Sequence, residues 1–204
     1  MQYIPAFPVS VWKGHLENNN ELKDIFLPFV EKTKNKLTIP NQWATDKLIT
    51  SFNDDDVSAQ LFGEERKKIQ DTYWKKINNM FDKSWTADIN EAWYNYYTEG
   101  EWQELHAHNS HRTLCGDFVG VHFISWKNDT HLPLSFHDPN RLLRNSFFDS
   151  NYSGIFTPNI KEGDVIFFPS YLEHSVPKQP STPDYPRITI SFNIKINSYN
   201  GEEI

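Results

Sequence analysis

The run Arg187-Ile-Thr-Ile-Ser-Phe-Asn-Ile-Lys195 constrains this chain more than any other segment. Ile188, Ile190, Phe192 and Ile194 take one set of alternating positions, and Arg187, Thr189, Ser191 and Asn193 take the other. Successive side chains of a strand point to opposite faces, so one face of this strand belongs to a core. The other face is a ladder of hydrogen-bonding groups that must find partners. An arginine and a hydroxyl two residues apart suit a carboxylate, because the guanidinium offers a two-point fork. The blander reading is an exposed sheet face carrying a salt bridge.

The same period of two recurs through the second part of the chain. Residues 90–98, 102–108, 116–126, 132–136, 153–157, 164–168 and 187–197 read as strands, separated by turn-like stretches such as Lys161-Glu-Gly-Asp164. The first part reads differently. Leu22, Ile25, Phe26, Phe29 and Val30 recur at helical spacing within 20–35, and Pro40 limits any extension. Ile69, Tyr73, Ile77, Met80 and Phe81 form one apolar stripe within 64–82. The polar segment from Asn41 to Asp56 reads as a loop with Trp43 anchored. Short strands following packing helices predict a mainly β, α+β chain: a double-sheet jelly roll with the helices against its larger sheet. We expect a single domain over residues 1–204, with helical support in 1–87 and the jelly-roll core in 88–198.

Composition narrows the function classes. The 204 residues suit one domain with a sizeable core, and 15% aromatic residues offset a hydrophobic content of 38%. A net charge of −7 without a basic run is a poor match to a nucleic-acid backbone. The single cysteine, Cys115, permits no internal disulfide and fits a reducing, cytoplasmic setting. No run approaches the ~18 apolar residues of a membrane span, and no signal peptide is evident.

Six of the eight histidines lie between residues 106 and 137. His106 and His108 are separated by one residue, so an extended backbone presents both imidazoles to one side. His174 is a candidate third ligand. Three protein ligands leave coordination positions open, as catalysis needs. His111 and His131 read as surface residues, His137 as a turn residue and His15 as exposed. His122 is either a core histidine or a site residue. Arg141 and Arg144 read as solvent-facing.

With these motifs in view, the chain resembles the iron(II)- and 2-oxoglutarate-dependent dioxygenases, closest to a group common in phages and marine bacteria. The resemblance rests on Gln103-x-x-His106-x-His108, Phe168-Pro-Ser-x-x-x-His174-x-Val176-Pro and Arg187-x-Thr-x-Ser-Phe-Asn193, with support from Pro5 to Trp12 and Asn41-Gln-Trp43. Tyr97 and Gly100 precede the histidine pair much as a tyrosine and a glycine do in prolyl hydroxylases. The resemblance implies that Tyr97 hydrogen-bonds 2-oxoglutarate and that His122 stands where those enzymes have a second cosubstrate-contacting tyrosine.

The departure is His108, where better-known members carry Asp or Glu. A carboxylate from elsewhere would have to be Asp117 or Asp138. The expected function is a 2-oxoglutarate-dependent oxygenase, a hydroxylase of a small-molecule or protein substrate. His106, His108 and His174 would hold Fe(II), and Arg187 with Thr189 would receive the distal carboxylate. Two competitors are a three-histidine, cupin-like zinc hydrolase or other dioxygenase, and a barrel that binds a ligand without turnover.

Overall fold

The computed structural model describes residues 9–41, 43–45, 47–52, 54–61, 63–80, 85–108, 116–140, 154–199 and 201–203. Two antiparallel sheets face each other. The larger runs β1 (Trp12–His15), β8 (Asp164–Pro169), β5 (Phe118–Ser125), β10 (Arg187–Tyr199), β3 (Trp85–Tyr97) and β2 (Ile49–Thr50), with β11 (Glu202–Glu203) paired to β10. The smaller runs β4 (Gln103–His106), β9 (His174–Val176), β6 (Ser135–His137) and β7 (Ile155–Phe156). From β3 onward the chain passes repeatedly from one sheet to the other, which is the jelly-roll architecture expected.

The outer face of the larger sheet is closed by α1 (Asn19–Thr33), α2 (Asp55–Leu61) and α3 (Lys67–Met80). Leu22, Phe26, Phe29 and Val30 of α1 and Ile69, Tyr73 and Ile77 of α3 are buried against Tyr94, Ile188, Ile190, Phe192 and Ile194. The apolar half of β10 is therefore the floor of the helix-facing core. The Tyr73 ring lies flat on Phe192, with centroids 4.4 Å apart. Phe192 in turn covers Gly120, its partner across the β5–β10 pair, and a Cβ there would lie 2.2 Å from the Phe192 ring. Only a residue without a side chain allows that approach.

Three differences from the sequence reading concern the first 87 residues. They supply β1 and β2 as well as helices, with β2 inside the stretch read as loop, and α2 starts at the end of that stretch and runs on to Leu61. None of these pieces is long enough to display a period. Trp43 is anchored as expected, stacked on Phe52 with centroids 5.4 Å apart. The helix expected over 64–82 opens with a 3-10 turn at Glu64–Arg66 before α3, and Phe81 lies outside the described residues. Among the described residues, no helix is long and apolar enough to cross a membrane.

Candidate active site

Between the sheets lies a cavity of about 340 Å³, open mouth included. Its wall on the larger sheet is the polar half of the alternation: Arg187, Thr189 and Ser191 of β10, and Trp93, Asn95 and Tyr97 of β3. Gln103 and His106 of β4, His108, and His174 of β9 complete it from the other side. The residues between them in β3 and β10 face the helices, so one strand period builds both the core and the cavity.

His106 and His174 are direct partners across the antiparallel β4–β9 pair, with ring centroids 4.2 Å apart. His108 lies just past β4, held by a hydrogen bond from its backbone N–H to the Ser170 carbonyl at 2.8 Å. Its ring stands 5.3 Å from His106 and 5.2 Å from His174. One ligand nitrogen from each lies within 4.8 Å of the others. The Nδ1 of His106 meets the Glu104 carbonyl at 2.8 Å, and that of His174 meets the Leu172 carbonyl at 3.0 Å. A carbonyl only accepts, so both Nδ1 atoms carry the proton and both Nε2 atoms are left as acceptors, that of His106 meeting Gln103 Nε2 at 3.4 Å. His108 Nδ1 meets Asn193 Oδ1 at 3.0 Å.

Burial lowers the pKa of all three rings. His108 is pushed down to about 4, with the neighbouring His106 adding to the effect, and His174 lies well below the ordinary imidazole range. All three are neutral donors at neutral pH, as metal binding requires. Among the described residues no carboxylate joins this cluster. Asp117 instead pairs with Lys195 at 3.2 Å and accepts from the Ile196 N–H, and Asp138 accepts from the Asn140 N–H. Neither alternative carboxylate is at the site. An all-nitrogen set suits a borderline divalent ion and leaves its charge uncompensated until an anion joins it.

Further along the cavity, Arg187 is almost fully buried beneath three aromatic rings: Tyr97 at 4.2 Å, Trp126 at 5.5 Å and Phe123 at 5.7 Å. Its Nε and Nη1 find no hydrogen-bond partner among the described residues, nor does Trp93 Nε1 or Asn95 Oδ1. Buried polar atoms left unmatched are rare and costly. Three of these four atoms are donors, which call for a ligand rich in acceptors, and a dicarboxylate satisfies that demand. Thr189 lines the same wall. Tyr97 does so too, its hydroxyl donating to Gln103 Oε1 at 3.1 Å.

His122 is elsewhere. It points from β5 into the helix layer, fully buried, with Nδ1 at 2.8 Å from the Tyr73 hydroxyl and Nε2 at 2.8 Å from Asn19 Oδ1. The cosubstrate contact expected of it is corrected by strand alternation, which turns Val121, not His122, toward the cavity. His131 is also corrected. It is buried, accepts from the Lys127 N–H at Nδ1, and meets Thr182 Oγ1 at Nε2. His111, Cys115, Arg141 and Arg144 lie outside the described residues. The sequence reading missed Trp93, which stacks on His108 at 5.5 Å, although its place on the Asn95–Tyr97 face of β3 was open to counting.

Residues 91–193 match the family described as "Putative 2OG-Fe(II) oxygenase". The chain belongs to that family. The oxygenase therefore uses iron(II) and 2-oxoglutarate, and the three-imidazole cluster and the donor-lined cavity fit that pair. Solved structures share its fold. HygX from Streptomyces hygroscopicus, bound to nickel, 2-oxoglutarate and hygromycin B, superposes with a TM-score of 0.58 at 10% identity, covering 92% of this chain and 83% of that one. A prolyl-4-hydroxylase from Pseudomonas putida gives a TM-score of 0.57 at 11% identity, covering 92% of each chain. No curated protein matches the sequence.

Proposed function

We propose that the oxygenase is a hydroxylase of a small-molecule or protein substrate, with iron(II) held by His106, His108 and His174. Arg187 and Thr189 receive the distal carboxylate of 2-oxoglutarate. The observation that supports this reading is the pairing, in one cavity, of three neutral imidazoles with a buried guanidinium whose Nε and Nη1 have no hydrogen-bond partner among the described residues. Iron(II), when bound with 2-oxoglutarate, supplies the oxygen activation that side chains cannot.

The chain's own contribution is orientation and shielding. The Glu104 and Leu172 carbonyls fix two imidazole planes. The rings above Arg187 exclude water from its charge, which strengthens its attraction for a carboxylate. Tyr97 and Gln103 form a hydrogen-bonded pair between the guanidinium end and the histidine end, and Gln103 Nε2 stands 3.4 Å from His106 Nε2. A zinc hydrolase would have no use for the buried Arg187, which disfavours that reading.

The test is succinate release from 2-oxoglutarate by the iron(II)-loaded protein, compared with Arg187→Lys and His174→Ala. Turnover lost in His174→Ala, and weakened with a higher 2-oxoglutarate requirement in Arg187→Lys, is expected. Unchanged succinate release in His174→Ala would overturn the ligand assignment.

A further inference from the structure

We propose that Glu91, acting through Asn193, is the positioning element that selects the metal-ready tautomer of His108. This rests on the reading of His108 as a metal ligand. The other two histidines have their Nδ1 protons fixed by backbone carbonyls, which accept and never donate. His108 faces a side-chain amide, and an amide can turn either end toward it. With Oδ1 toward the ring, Nδ1 is protonated and Nε2 is free for metal. With Nδ2 toward the ring, Nδ1 must accept, and the proton moves to Nε2, where it blocks the metal.

Glu91 decides between these states. It pairs directly with Asn193 across β3 and β10, so both side chains leave the same face of the sheet. Asn193 Nδ2 donates to Glu91 Oε2 at 2.9 Å. An ionised carboxylate only accepts, so the amide must present its NH₂ to Glu91 and its oxygen to His108. The orientation thus follows from chemistry and not from an arbitrary choice of amide atoms. Asn193 is buried, which denies its amide a competing water partner. Past Asn193 the β3–β10 register shifts, ending the straight ladder at this pair. The charge of Glu91 reaches the third ligand through one amide, supplying from a distance part of the carboxylate character that the triad lacks.

The experiment uses the full chain, metal-free, with ¹⁵N-labelled histidine, and reads the protonated ring nitrogen of His108 at neutral pH. Its signals are assigned by their loss in His108→Ala. Co(II) affinity is measured alongside by chelator competition. The wild type should carry the proton on Nδ1. Asn193→Ala should shift it toward Nε2 and weaken Co(II) about 10- to 100-fold, as is typical when a ligand's supporting partner is removed. Glu91→Gln, nearly the same shape, should give a tautomer mixture and a smaller loss of affinity. An unchanged Nδ1 proton in both variants, with Co(II) affinity within about twofold, overturns the positioning role even if the melting temperature falls. A wild type that binds no Co(II), or a His174→Ala variant that binds it normally, overturns the triad reading beneath, while the tautomer measurement still judges Glu91 and Asn193.

Discussion

The two faces of the larger sheet bury polar side chains in opposite ways. On the helix side, His122 is matched at both nitrogens, by Tyr73 and Asn19, and Asn19 Nδ2 in turn donates to the Ile124 carbonyl. On the cavity side, Arg187, Trp93 and Asn95 are similarly buried yet keep polar atoms unmatched among the described residues. Burial alone does not separate a structural polar group from a functional one. Hydrogen-bond completion does: a closed set belongs to the fold, and an open set waits for a ligand.

This contrast can be broken by experiment. The largest expected effect is on metal content. His174→Ala should lose stoichiometric iron or cobalt, measured by elemental analysis, whereas His122→Leu should keep it. Metal lost equally in both would erase the distinction between the faces.

Stability should move in opposite directions. His122→Leu leaves Tyr73 and Asn19 unmatched in the core and should destabilise the metal-free protein by about 2–5 kcal/mol in denaturant titration. Arg187→Met replaces a buried charge that has no acidic partner among the described residues with an apolar side chain and should stabilise the metal-free protein by about 1–4 kcal/mol, while abolishing 2-oxoglutarate binding. A destabilising Arg187→Met would mean that the guanidinium serves the fold.

Arg187→Lys is gentler. It keeps a charge and loses the two-point fork. Affinity for 2-oxoglutarate should fall roughly tenfold to a hundredfold, corresponding to about 1.5–3 kcal/mol, with metal binding preserved. Calorimetric titration of the metal-loaded protein checks this, and an undiminished affinity would remove Arg187 from the receptor.

The smallest effect is in pH dependence. Burial pushes His122 down to about 3 and His131 down to about 4, both below the imidazole value of about 6.5 expected in the unfolded chain. In that interval the unfolded state binds more protons, so stability falls as pH drops from about 6.5 toward 4. His122→Leu should flatten that slope in melting curves taken across the interval. An identical slope would mean that His122 does not titrate on unfolding.

Much of this was legible in the sequence, and the reason is periodicity. The alternation in Arg187–Ile194 separates the core face of β10 from its polar, cavity face. The His106 and His108 spacing pointed to the cluster, although β4 ends at His106 and the Ser170 carbonyl, not strand period, holds His108 in place. The three-residue β9 that carries His174, and the two-residue β2 and β7, are too short to show a period, and tertiary pairing alone makes them strands. His122 defeated resemblance because position along a strand is not the same as face. His131 defeated the polar-loop reading because its partners, Lys127 and Thr182, make an otherwise polar loop fold inward on itself. Asn193 was visible as the last rung of the polar ladder, but its bond to His108 joins residues 85 positions apart.

The direct opposition of His106 and His174 across β4 and β9 has a mechanical consequence. An ion held by both would be a cross-link between strands of four and three residues, closing a loop of nearly seventy residues. Tying such a loop removes freedom from the unfolded chain, and its benefit grows slowly with loop length. The smaller sheet, built only from strands of four residues or fewer, would then take its durability from the ion as much as from its own pairing. Limited proteolysis with and without metal should find the cuts between His106 and His174 slowed most.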